Sequence, residues 1–174
     1  TKKLFSHYNI NIKMISFNEH NENNKNDMVI EKLMEGNNIG LLSDAGTPCI
    51  SDPGFKLISK IREIDKDINI ITIPGVSSPI AALSISGLPT DNFHFIGFLP
   101  KKKGRNKKIK ELSNLSGTII IFESPFRIIK TIDNLYENLG NRKIFLGREL
   151  TKMYEECIYT ELQTICSGKI NLKQ

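Results

Sequence analysis

The sequence predicts an α/β fold built on parallel strands, and three observations carry that expectation. Apolar runs of strand length recur at Ile39 to Leu42, Ile70–Ile73 and Thr118–Phe122. Each run opens into a polar loop marked by glycine, proline or serine, and each loop leads into a segment with a helix-start signal. Strands that alternate with helices are the crossover units of a parallel sheet. In such sheets ligands bind beyond the carboxyl ends of the strands. Ordinary strand-to-helix turns account for any one of these loops. The three together, with Asp44 and Glu123 at two strand ends, favour a shared site.

The bulk properties fit this class. The chain has 174 residues, 39% hydrophobic and 25% charged, enough to bury a core. No apolar run approaches the ~20 residues of a membrane span, and no signal-peptide pattern opens the chain. Cys49, Cys157 and Cys166 are scattered and odd in number, and His7, His20 and His94 form no cluster. These read as reduced thiols in a cytoplasmic protein with no metal centre. A net charge of +5 is a mild pointer to a polyanionic partner. The chain opens at Thr1 in what reads as mid-helix and stops at Gln174 on a polar tail, so it is expected to be a piece of a longer chain.

Taken in order, Thr1–Tyr8 reads as the remainder of a helix and Ile12–Phe17 as a strand. Asp27–Glu35 carries Met28, Ile30, Leu33 and Met34 on an amphipathic helix that stops at Gly36. After the strand at Ile39, Asp52 is expected as N-cap and Pro53 as the first helical residue of a helix running to about Glu63. A strand follows at Ile68, then a helix from Pro79 to Ser86 with Ser78 as its cap. Gly87-Leu88-Pro89-Thr90-Asp91 breaks the rhythm and marks a domain boundary, giving domains 1–87 and 93–174 with a linker at 88–92. Beyond it, Phe93–Phe98 alternates as a strand and Lys101–Lys110 is a basic loop entering a helix. Gly117–Phe122 is a strand, and Pro125–Leu139 is a helix capped by Ser124 and ended by Gly140. Lys143–Leu146 and Tyr154–Tyr159 are further strands, with helix from Glu161 onward.

Several of these segments resemble known motifs. Ser43-Asp44-Ala45-Gly46-Thr47-Pro48 with Ser51-Asp52-Pro53-Gly54 resembles a motif of the tetrapyrrole methylase superfamily, as does Pro74-Gly75-Val76-Ser77-Ser78 followed by Gly87-Leu88-Pro89. Gly97-Phe98-Leu99-Pro100, Phe122-Glu123-Ser124-Pro125-Phe126-Arg127 and Arg148-Glu149-Leu150-Thr151-Lys152 narrow the resemblance to the ribosomal RNA small subunit methyltransferase I family. It covers essentially the whole chain. It implies a two-domain fold, with a mostly parallel sheet in the first domain, a mixed sheet in the second and the cofactor in the cleft between them. The family's first strand and its Pro-x-Gly-Asn loop would precede Thr1, and the last strand of its second domain would follow Gln174. The implied activity is S-adenosylmethionine-dependent methylation of a cytidine ribose 2′-hydroxyl in the decoding region of 16S rRNA, within the small ribosomal subunit. The family also implies a homodimer.

The chemistry asks for few groups. A sulfonium donor is already activated, so the protein chiefly holds hydroxyl oxygen, methyl carbon and sulfur in line, helped by a base. Asp44 is the first candidate for a cofactor contact, through ribose hydroxyls or the methionine ammonium, and Ala45 and Gly46 allow close backbone approach. The resemblance adds Ser43, Val76, Ser77, Ser78 and Phe122 to the cofactor set. Candidate catalytic residues are Glu123, Glu149 and Lys152. Arg127 is a cation near a helix start, where the dipole does not favour it, which suggests phosphate binding or pairing with Glu123. Lys101, Lys102, Lys103, Arg105, Lys107, Lys108, Arg127 and Arg148 form the candidate RNA-binding set, read as phosphate contacts. No aromatic residue interleaves the lysine run, so base stacking is not signalled there. Two other readings stand beside this one: a methylase of a tetrapyrrole intermediate, which needs no exposed lysine run, and a non-catalytic RNA-binding remnant.

Overall fold

The computed structural model describes residues 1–65, 67–170 and 172. The chain divides into two compact units, Thr1–Ser77 and Ser78–Gln174. Among the described residues, no helix is long and apolar enough to cross a membrane.

The first unit is helical. Helix α1 spans Lys2–His7, α2 Glu22–Met34 and α3 Phe55–Ile64. Leu57 and Ile61 lie four apart on one face of α3, and Val29 and Ile30 lie on the facing side of α2. These four form the buried core, with Phe17, Met28, Leu33, Ile68 and Ile70 packed around it. Burying each such side chain is worth about 1.5–3 kcal/mol.

Helix α2 begins five residues before the expected Asp27. The reason is a tertiary partner for a polar residue. Glu22 is buried, accepts the Gly54 N–H at 3.0 Å, and pairs with Lys56 at 3.7 Å. Its far end matches expectation: Gly36 N–H bonds Leu33 C=O and Asn37 N–H bonds Lys32 C=O, the paired bonds of a Schellman stop with Gly36 at φ 85°. Helix α3 begins at Phe55 with Gly54 as N-cap, not at Pro53 behind an Asp52 cap. The Asp52 carboxylate instead accepts the Ser43 hydroxyl.

The runs at Ile12–Phe17, Ile39–Leu42 and Ile68–Ile73 were expected as strands, yet none carries a ladder among the described residues. A strand is defined by backbone bonds to a neighbour as much as by its side chains. Ile71 and Ile73 accordingly stand exposed, at 71% and 81%.

The second unit is mixed α/β: α4 (Ser78–Ile85), β1 (Phe93–Phe98), α5 (Arg105–Leu112), β2 (Thr118–Phe122), α6 (Ile128–Leu139), β3 (Lys143–Arg148), β4 (Glu156–Glu161) and α7 (Leu162–Cys166). Strands β1 and β2 pair in parallel, Phe93 against Thr118 through Phe98 against Phe122, with a register shift between Phe95 and Gly97. A parallel pair needs a crossover, and α5 supplies it. Strands β3 and β4 form an antiparallel hairpin from Lys143↔Glu161 to Arg148↔Glu156. The predicted α/β class is thus borne out.

Two cores meet on α6. Leu99, Ile109 and Leu112 are buried against β1 and β2 residues and against Leu135 and Leu139. Ile132, Leu162 and Ile165 are buried against Ile144, Leu146 and Ile158, again with Leu135. The spacing Ile128, Ile132, Leu135, Leu139 is the apolar stripe that allows α6 to serve both. At the start of β2 glycine is required, because Gly117 has φ 92° and a Cβ there would lie 2.3 Å from Asn92 C=O. That approach lets Thr118 N–H donate to the same carbonyl at 3.0 Å. Helix α6 starts at Ile128 with Arg127 as N-cap, three residues later than the Pro125 start, and Ser124 makes no side-chain cap.

Candidate functional site

In the first unit, the acidic loop and the Pro74–Ser77 turn are joined. The Ser43 hydroxyl donates to Asp52 Oδ2 at 2.7 Å, which closes the loop on itself, and its oxygen receives Ala45 N–H at 3.3 Å. The Thr47 hydroxyl donates to Val76 C=O at 3.2 Å and so ties one loop to the other. Gly46 has φ 78°, and among the described residues beyond its chain neighbours nothing lies within 4 Å of where a Cβ would stand. The Asp44 side chain is 89% exposed, and its carboxylate accepts the Thr1 hydroxyl at 3.0 Å. Cys49 and Ser51 both have positive φ, at 70° and 59°. Left-handed conformations at residues other than glycine persist only where the surrounding structure holds them. The same loop is tied down by Gly54 N–H on Glu22 and by the Ser43 hydroxyl on Asp52. Burial, then the nearby Glu22 and Asp52 carboxylates, push the Cys49 thiol up. Val76 is exposed and Ser77 half-buried.

In the second unit, Ser78 is the first residue of α4, not a residue preceding it. Phe122 ends β2 with its ring 4.9 Å from Phe95 and 5.4 Å from Phe98. The next residue, Glu123, is the hub of a buried polar cluster. Its side chain is 3% exposed. Oε1 accepts Ser124 N–H at 2.8 Å and faces Arg127 Nη2 at 2.6 Å. Oε2 receives the Thr131 hydroxyl at 2.7 Å and faces Arg105 Nη2 at 3.5 Å. Arg105 also donates to Thr131 Oγ1 at 2.6 Å and to Pro100 C=O at 3.2 Å. Burial by itself raises the Glu123 pKa. The Thr131 hydroxyl, the Ser124 N–H and then the two guanidinium groups outweigh it and hold the carboxyl below its ordinary value.

This arrangement corrects one expectation. Arg105 is buried in the cluster and is not among the surface cations. The signal was present: Arg105, Ile109 and Leu112 recur at helical spacing on the core-facing side of α5. Thr131, 1% exposed, was not singled out from sequence, although it is a polar residue within the apolar stripe of α6. Lys101, Lys102, Lys103, Lys107 and Lys110 are exposed, and Lys108 pairs with Glu111 at 3.6 Å. In the β3–β4 loop, Lys152 Nζ lies 3.2 Å from Glu149, and Arg148 lies 3.8 Å from Glu156. Glu149 and Thr151 have φ of 50° and 66°. The loop is held by Thr151 N–H to Glu155 at 2.5 Å and Lys152 N–H to Glu149 C=O at 2.9 Å.

The family model Tetrapyrrole (Corrin/Porphyrin) Methylases matches residues 2–166. The chain belongs to this methylase family. It is 44% identical over 164 residues to a protein of Halalkalibacterium halodurans named Ribosomal RNA small subunit methyltransferase I, covering 94% of this chain and 56% of that one. Proteins of the same name from Vibrio cholerae (44% over 157 residues, 89% of this chain and 54% of the relative) and Rickettsia prowazekii (45% over 157 residues, 90% and 55%) are similarly close. The chain spans about half the length of these curated relatives. The resemblance read from the motifs is borne out.

Proposed function

We propose that the protein to which this chain belongs is an rRNA methyltransferase that uses S-adenosylmethionine to methylate a cytidine ribose 2′-hydroxyl in the decoding region of 16S rRNA. The observation that carries the reading is a methylase-family chain bearing an exposed lysine run, Lys101 to Lys110, outside its cofactor-type loops. A small macrocycle has no use for such a run, whereas an RNA backbone does. The names of the relatives support the same substrate class.

When bound, S-adenosylmethionine supplies a methyl group activated by its sulfonium. Asp44 would accept from its ribose hydroxyls or its ammonium, and Ser43, Ala45, Gly46, Val76, Ser77, Ser78 and Phe122 are the other residues assigned to hold it. The base is assigned to the Glu149–Lys152 pair. Glu123, with both oxygens engaged and its pKa depressed, is better suited to hold cations than to take a proton. Lys101, Lys102, Lys103, Lys107 and Lys108, with Arg127 and Arg148, are assigned to RNA phosphates. The proposal includes a cytoplasmic homodimer and a domain division at 88–92.

The test uses the gene extended at both ends. The protein is incubated with methyl-labelled S-adenosylmethionine and undermethylated small ribosomal subunits, and the RNA is then hydrolysed with alkali. Label in an alkali-resistant cytidine dinucleotide is the expected result, since a blocked 2′-hydroxyl cannot cleave its neighbouring phosphodiester. Cofactor binding without RNA label would move the reading to a small-molecule methylase. No cofactor binding would favour the non-catalytic remnant.

A further inference from the structure

The buried cluster at the end of β2 holds two guanidinium groups and one carboxylate. Arg105 is enclosed, with its nitrogens directed at Thr131, Pro100 C=O and Glu123. Arg127 differs. Its side chain is 28% exposed and one nitrogen is bound to Glu123, while Nη1 is covered by protein and has no hydrogen-bond partner among the described residues. An outside acceptor therefore meets this cation through the exposed part of the side chain, where a charge-assisted hydrogen bond can form. One carboxylate neutralises one of the two cations, so a unit of positive charge remains at the start of α6, where the helix dipole adds to it. The ligand chemistry this suits is an oxyanion presented to a fork of donors.

The other three residues decide where that fork sits. Thr131 Oγ1 receives a bond from Arg105, and its one proton lies between Glu123 Oε2 at 2.7 Å and Arg127 C=O at 2.9 Å, so the hydroxyl orients Arg105 and Glu123. Glu123 in turn grips Arg127 through the opposite oxygen. We propose that Arg105, Thr131 and Glu123 are positioning residues, which act together to hold Arg127 as a phosphodiester-binding group for RNA. The inference rests on the RNA-substrate reading above. It gives Arg105 a role through Glu123 and not on the nucleic acid.

The test is the salt dependence of binding to a fluorescently labelled RNA hairpin, read as the slope of log Kd against log potassium chloride concentration. Each phosphate that the protein neutralises adds about 0.7–0.9 to that slope. Arg127→Gln is expected to lower the slope by the share of one phosphate. Thr131→Val is expected to match that decrease although Thr131 is buried, Thr131→Ser to restore the parent slope, and the double variant to fall no further than Arg127→Gln alone. A change of fold that leaves every phosphate still bound would not give this pattern. If Thr131→Val melts early, Arg105→Lys is read in its place, keeping the charge but not the fork, with the same expected decrease. The variant with Lys101, Lys102 and Lys103 all changed to Gln serves as the control for RNA binding itself. A response to those lysines with none to Arg127→Gln overturns this inference alone. So does additivity of Thr131→Val and Arg127→Gln. Failure of the parent chain to bind RNA in a salt-dependent way overturns the substrate reading as well.

Discussion

Arg127 Nη2 stands 2.6 Å from Glu123 Oε1 across the turn that opens α6, and the carboxylate side chain it grips is only 3% exposed. Glu123, one of the candidate catalytic residues of the sequence reading, is the anion of a buried ion-pair network. An ion pair of this kind adds little over a well-packed apolar substitute, but removing one partner strands the other.

That asymmetry makes Glu123 a pH-sensitive element of the second unit. Its folded pKa lies below the unfolded value of about 4.3. The unfolded state thus binds more protons in this window, and stability rises with pH. The contribution is fully present above the unfolded pKa and is lost as pH falls through the folded one. Urea unfolding from about pH 6 down to about pH 3 should show a drop that Glu123→Gln flattens. At neutral pH the same variant should cost about 3–5 kcal/mol, because two guanidinium groups lose their counter-charge.

Two glycines with positive φ should respond differently to alanine. Gly36 has φ 85° and open space, so Gly36→Ala should cost about 1–2 kcal/mol of left-handed strain. Gly117 has φ 92° and the Asn92 carbonyl 2.3 Å from the new Cβ, so Gly117→Ala should cost about 1–3 kcal/mol more. Paired denaturation curves measure the difference, and equal losses would contradict the close approach at Asn92.

Helix α5 should separate stability from binding. Ile109 is fully buried, and Ile109→Ala should destabilise the second unit by about 2–5 kcal/mol. Lys107 is exposed on the same helix, and Lys107→Gln should stay within about 0.5 kcal/mol. RNA affinity at low salt should fall for Lys107→Gln, as a binding titration beside each melt would record.

Asp44 is largely exposed, so Asp44→Asn should leave the folding midpoint unchanged. In the full-length protein it should weaken S-adenosylmethionine binding by roughly 10–100-fold, the worth of a charge-assisted hydrogen bond of about 1.5–3 kcal/mol. Calorimetric titration measures it, and unchanged affinity would remove Asp44 from the cofactor site.

The elements most legible from sequence were those whose signals are local. Phe93–Phe98 alternates and forms β1 with those same bounds; Gly36 and Gly140 stop α2 and α6 as expected. The helix starts were least legible. Asp52 before Pro53 and Ser124 before Pro125 have good capping chemistry, yet Asp52 is engaged by Ser43, and a turn closed by Arg127 N–H on Ser124 C=O precedes the start of α6 at Ile128. One start is displaced by a side chain nine residues away and the other by a local turn. The β-type runs of the first unit mark a third kind of limit, because apolar content alone does not create the ladder partner that defines a strand.

By itself the sequence determined the α/β class, the family through its ordered motifs, and the pairing of Arg127 with Glu123 as one of two open roles. These follow from spacing, turn chemistry and a charge set against a helix dipole, all readable along one stretch of chain. Only the tertiary structure decided that Arg105 turns inward, that Thr131 joins it to Glu123, and that Glu22 closes on Gly54. The physical reason is common to all three. A buried charge or hydroxyl is tolerated only where distant elements bring it a partner, and that partner is chosen by packing, not by sequence distance.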